Sequence, residues 1–90
     1  MPSISIRVKG KVQGVFYRQS AKEKAIALGI TGQIKNQPDG SVFIIATGDT
    51  NQLTEFIEWC KIGPARAIVS AIENYSEPLQ NFDTFSIIRQ

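Results

Sequence analysis

The stretch Gln37-Pro38-Asp39-Gly40 separates two β-prone runs, TGQIKN and SVFIIATG, and obliges the chain to turn back on itself. Proline fixes φ near the value a turn requires, and glycine accepts positive φ. Two such runs around a tight turn predict an antiparallel β-hairpin. The second run is apolar on both sides, with Val42, Ile44 and Ala46 on one and Phe43 and Ile45 on the other. A strand of that kind belongs in the middle of a sheet. The remaining elements must therefore be arranged around this hairpin.

Upstream, Ile4, Ile6 and Val8 alternate with Ser5, Arg7 and Lys9, the period-two pattern of a half-buried strand. Residues 10–17 break the pattern as a loop. From about Arg18, RQSAKEKAIALG sets Ala21, Ala25 and Leu28 at helical spacing, and Gly29 suits a left-handed helix end. Beyond the hairpin, Asp49 or Thr50 caps a second helix with Leu53, Phe56, Ile57 and Cys60 on one apolar stripe. Gly63-Pro64 ends it. A strand over roughly Arg66 to Tyr75 and a short one near Thr84 to Arg89 complete the chain, with SEPLQN as a loop between them. The order β-α-β-β-α-β plus a short terminal strand predicts an α+β, ferredoxin-like two-layer sandwich. In it, an antiparallel sheet carries both helices on one face. Ninety residues suit one domain, 1–90.

That fold hosts many chemistries, so function has to come from particular residues. The chain has no histidine and one cysteine, Cys60. Histidine-based triads and dyads, histidine-ligated metals and an internal disulfide framework are thereby excluded, and a structural zinc site is implausible. A net charge of +2, with both signs interspersed, does not call for nucleic acid. No signal peptide or membrane-length apolar run is present, so the expectation is a cytoplasmic protein, and nothing in the sequence demands more than a monomer. Cys60 lies on the helical stripe and reads as core, with Trp59 half-exposed beside it.

The loop GKVQGVFYR, Gly10 to Arg18, is the candidate anion site. A helix start exposes unpaired N–H groups and about half a positive charge, and glycine lets successive N–H groups converge on an anion. Gly14 is best placed to bring backbone close to a ligand, and Arg18 can add a planar fork of donors. The bland reading is a glycine turn followed by a solvated arginine. The loop is neither a Walker loop, lacking Gly-Lys-Ser/Thr, nor a dinucleotide fingerprint, lacking the third glycine. Phe16 and Tyr17 are adjacent and precede a helix, so they do not form the alternating base-stacking platform of RNA-binding ferredoxin-like domains. Both are expected to pack beneath the loop.

GKVQGVFYR, followed eighteen residues after Arg18 by Asn36 in GQIKNQPDGSV, strongly resembles the acylphosphatase family. EWCKIGPARAIVSAIE and FSIIRQ resemble its second half, so the likeness spans nearly the whole chain. The resemblance implies a small metal-free, cofactor-free enzyme that hydrolyses the carboxyl-phosphate bond of acylphosphates. Arg18 matches the arginine that binds the substrate phosphate. Gln13, Gly14, Val15, Phe16 and Tyr17 match the backbone cradle around the same group, and Asn36 matches the asparagine that positions water. The chain departs at Gln33, where the family commonly has tryptophan, and at Tyr17, where phenylalanine is commoner. A non-catalytic anion-binding or regulatory module on the same scaffold is the competing expectation. Taken alone, Asn36 also fits a residue that merely prepares the Pro-Asp-Gly turn.

Overall fold

The chain forms β1 (Ser3–Lys11), α1 (Tyr17–Ala27), β2 (Thr31–Asn36), β3 (Val42–Thr47), α2 (Thr50–Cys60), β4 (Ile68–Glu77) and β5 (Phe85–Ile87). This computed structural model describes residues Met1–Arg89. Two helices pack on one five-stranded sheet of order β4-β1-β3-β2-β5, the ferredoxin-like arrangement. The hairpin is present, with Thr31 opposite Thr47 and Asn36 opposite Val42. Its turn is closed by Gln37 N–H to Ser41 O (2.8 Å) and by the Asp39 carboxylate, which accepts from the Ser41 N–H and hydroxyl at 2.9 and 2.6 Å. Those two donors hold the Asp39 carboxyl below its usual pKa.

The doubly apolar run is the central strand, β3, pairing antiparallel with β1 on one side and β2 on the other. Val42, Ile44 and Ala46 are fully buried together with Ile6, Val8 and Ile34, whereas Phe43 and Ile45 are half-buried on the open face. Ala21 and Ala25 of α1, and Leu53, Phe56 and Cys60 of α2, fill the same core. Phe56 meets Phe85 edge-on at 5.9 Å and stacks on half-exposed Trp59 at 6.3 Å. Small alanines on α1 let that helix lie close to the sheet, and α2 brings the larger rings.

Both helix ends follow their local signals. Ile30 N–H reaches Ala25 O (2.9 Å) and Gly29 N–H reaches Ile26 O (3.0 Å), a Schellman closure with Gly29 at φ 76°. Asp49 is the N-cap of α2, and its N–H donates to the Gln52 side chain at 2.9 Å. The start of α1 is tied to the end of α2 by the Tyr17 hydroxyl, which donates to Cys60 O at 2.7 Å. That bond satisfies a helix-end carbonyl and lets a phenol sit in the core.

Two features differ from the sequence expectation. The sheet is mixed: β5 runs parallel to β2, with Gly32 beside Phe85 and Ile34 beside Ile87. Because β4 and β5 occupy opposite edges, the segment between them must cross the sheet, and it enters β5 heading the same way as β2. The crossing is pinned by polar groups. Gln80 N–H donates to Ser3 Oγ (3.0 Å), Thr47 Oγ1 donates to Gln80 O (2.7 Å), and the two hydroxyls lie 2.6 Å apart. Ser5, expected on a solvated face, is consequently buried along with Ser3, and Ser5 Oγ donates to Glu77 at 2.7 Å.

Burial pushes the Cys60 thiol up to about 12, with Tyr17 pulling slightly the other way through its hydrogen bond, and burial raises the Tyr17 phenol as well. Both groups hold their protons more tightly folded than unfolded, so their stabilisation is complete below the unfolded values and is lost as pH rises. Urea midpoints should therefore begin to fall above about pH 9, the ordinary thiol value, and more steeply above 10, the ordinary phenol value. Cys60→Ala should move the onset towards pH 10. An onset unchanged by that substitution contradicts the assignment.

Candidate active site

Gly10 and Gly14, which look alike in sequence, serve different ends. Gly10 (φ 127°) lies where the β1–β4 register shifts, and a Cβ there would come within 2.2 Å of Ile68 O. It belongs to the sheet. Gly14 (φ 75°) has open space around the position of a Cβ, so its requirement is conformational: the loop bends through the left-handed region before entering α1.

The loop ends with Phe16, the N-cap of α1, also left-handed at φ 63° and ψ 23°. Its side chain makes no capping bond. The first bond of the helix is Ser20 N–H to Phe16 O (3.0 Å), which leaves the N–H groups of Tyr17, Arg18 and Gln19 without helical partners. Gly14, Val15 and Phe16 N–H groups make no backbone bond among the described residues either. Consecutive free N–H groups in a loop that passes through left-handed residues form an anion nest, reinforced by the positive end of the helix. The partly buried Arg18 stands in the first turn.

Gln13, Gly14, Phe16, Tyr17, Arg18 and Asn36 line one hollow of about 430 Å3. Val15 does not line it; its side chain is in the core, and only its backbone belongs to the loop. Tyr17 is buried as expected. Phe16 is not: its side chain is 75% exposed, so the expectation that it packs beneath the loop is wrong. The left-handed backbone turns residue 16 outward while the next residue, on the helix, points inward.

Loop and hairpin are bound to each other by the Gln13 side chain. Its Nε2 donates to Gln37 O and to Ser41 O, each at 2.9 Å, the two carbonyls at either end of the turn that follows Asn36. Asn36 Oδ1 is buried and has no hydrogen-bond partner among the described residues. An unpaired buried acceptor costs about 1–3 kcal/mol, so it is rarely left without a purpose.

The sequence reading missed Arg89. Ile88 N–H donates to Ile34 O at 2.8 Å, and the parallel β2–β5 register, continued by two residues, sets Arg89 alongside Asn36. Arg89 lines the main hollow and a second of about 270 Å3, which it shares with Arg18, Lys35, Asn36 and Ile88. None of Arg18, Lys35 or Arg89 forms a salt bridge among the described residues, so this end of the molecule is cationic. No sequence signal singles out Arg89, because its place follows from the direction of β5. Gln33, exposed on the open face, lines neither hollow. Among the described residues, no three His, Cys, Asp or Glu side chains are grouped to hold a metal ion. No helix among them is long and apolar enough to cross a membrane.

Removing the Gln13 amide should loosen the loop from the hairpin. Gln13→Ala is expected to weaken inorganic phosphate binding by about three- to tenfold, the worth of one to two neutral hydrogen bonds. It should also raise amide exchange in residues 37–41. Unchanged exchange there would show that the tie does not hold the turn.

A known family shares this fold. The acylphosphatase family model matches residues 4–87. The chain is 48% identical to an acylphosphatase of Marinobacter nauticus, over 87% of this chain and 86% of that one. It is 46% identical to one of Shewanella amazonensis, over 97% of each. The crystal structure of acylphosphatase from Bacillus subtilis superposes with a TM-score of 0.96 at 34% identity, covering 99% of this chain and 100% of the other. With a family model matched over nearly its whole length and relatives of this identity and coverage, the chain belongs to the acylphosphatase family.

Proposed function

We propose that this chain, acting as one domain over 1–90, hydrolyses acylphosphates with the phosphate held by the Gln13–Arg18 loop and water positioned by Asn36. The observation that carries the reading is the convergence of unpaired loop N–H groups, Arg18 and the unpaired Asn36 Oδ1 on one hollow. The loop N–H groups and the guanidinium supply fixed positive charge to the phosphate oxygens. Phosphoryl transfer passes through a loose transition state with charge spread over the equatorial oxygens, and dipoles set in advance stabilise that charge without reorganising.

Asn36 is neutral and takes no proton. Its Oδ1 accepts a hydrogen bond from the attacking water and turns a lone pair of that water towards phosphorus. The water–phosphorus bond forms as the bond from phosphorus to the acyl oxygen breaks, and the acyl group leaves as a carboxylate. A carboxylate is a weak base and leaves without being protonated, so the reaction makes no demand for a general acid. The water's proton passes to a phosphate oxygen, giving a carboxylate and inorganic phosphate. Histidine, absent from the sequence, has no part to play.

Arg89 adds a second cation beside the phosphate and favours the dianionic substrate. The reading includes a monomer acting on a small-molecule acylphosphate, with neither nucleic acid nor membrane as partner. A cytoplasmic location completes the reading.

The test is turnover of acetyl phosphate after treatment with EDTA, which should be retained in full. Arg18→Ala should abolish inorganic phosphate inhibition and reduce kcat/KM by at least a hundredfold, the scale of losing a charged transition-state contact. Asn36→Ala should lower kcat while leaving phosphate inhibition within about twofold. Phosphate binding without turnover in the unmodified protein would select the non-catalytic module instead. Near-normal kcat in Asn36→Ala would remove the water-positioning role.

A further inference from the structure

Residue 16 needs only its backbone to serve the cradle. At φ 63° glycine would be free of strain, and the same loop uses glycine at position 14 under the same condition. The chain instead places a phenylalanine there and leaves it 75% exposed. A left-handed backbone is unfavourable for a bulky residue, and the exposed ring contributes little to the core. Core packing at this point is done by Tyr17, which is 1% exposed. The ring of Phe16 thus carries two costs to folding that nothing in the folded chain offsets.

Its position suggests what does offset them. Phe16 lines the same hollow as Arg18 and Asn36, with Val12 and half-buried Ile87 as further apolar walls. At about 430 Å3 the hollow lies in the range of sites for whole small molecules, leaving space beyond a phosphate held at the N–H groups. A phosphate has no apolar surface with which to cover an aromatic ring. The acyl group is the only part of the substrate that can.

We propose that Phe16 is a specificity-determining residue whose ring, with Ile87, receives the acyl group and selects acylphosphates with an aromatic or extended apolar acyl chain over the acetyl compound. This rests on the acylphosphatase reading above. Stacking or edge contact with one ring, together with the area it covers, accounts for about tenfold in binding. The contact lies on the leaving group and is present in both bound substrate and transition state, so it appears mainly in KM.

The experiment compares kcat/KM for benzoyl phosphate with that for acetyl phosphate, as a ratio, in the unmodified protein, Phe16→Asn and Phe16→Tyr. Asparagine tolerates the left-handed backbone without the ring, and tyrosine keeps the ring. General disturbance of the cradle affects both substrates and cancels in the ratio. The expected result is a ratio that falls about tenfold in Phe16→Asn and stays within about twofold in Phe16→Tyr. For a variant too slow to assay, calorimetric affinities for benzylphosphonate and methylphosphonate supply the same ratio. A ratio unchanged in Phe16→Asn overturns the proposal, as does one that falls equally in Phe16→Tyr. A ratio that rises in Phe16→Asn overturns it as well. Failure of the unmodified protein to hydrolyse either substrate would count against the acylphosphatase reading itself.

Discussion

The site depends on the hydrogen bond from the Tyr17 hydroxyl to Cys60 O. It fixes where α1 begins, and thereby where the free N–H groups and Arg18 stand, against the far end of α2 and the core. Tyr17 also packs against Trp59 at 5.5 Å. A helix start is an anion site only if it is held still, because its N–H groups must converge on one point. In this chain the anchoring residue adjoins the cradle it anchors. A phenylalanine at this position would lack the hydroxyl that donates to Cys60 O.

Three separated pieces of chain meet at the hollow, and each is positioned by a different means. The loop is placed by Tyr17. The hairpin is drawn to the loop by Gln13, whose amide nitrogen donates to the two carbonyls of the turn. The closing strand is placed by its ladder with β2, which carries Arg89 to the level of Asn36. The polar crossing at Ser3, Thr47 and Gln80 lies at the opposite end of the strands, and it sets the direction in which β5 reaches the site. A row of small hydroxyls at the far end of the strands thus helps decide which cation lines the hollow.

Most of the architecture was legible because local signals agreed with one another. The Pro-Asp-Gly turn, the doubly apolar run, Gly29 and Asp49 each led to the element observed. Arg18 and Asn36 could be singled out from their spacing and their resemblance to a family. Phe16 could not be read correctly: adjacent aromatics look alike in a sequence, and only the left-handed backbone at residue 16 separates the buried ring from the exposed one. Ser5 misled for a similar reason, since alternation reports what faces away from the core and not what later covers it.

By itself, then, the sequence determined the elements, their order, the central place of β3 and the residue types able to hold a phosphate without histidine. Those follow from backbone preferences and hydrophobic periodicity, which act over a few residues. Only the tertiary structure decided that β5 runs parallel to β2, that Arg89 joins the site, that Gln13 ties loop to hairpin, and that Phe16 is left exposed. Each of these depends on contacts between segments distant in the chain, and the free energy of such contacts has no counterpart in any short window of residues.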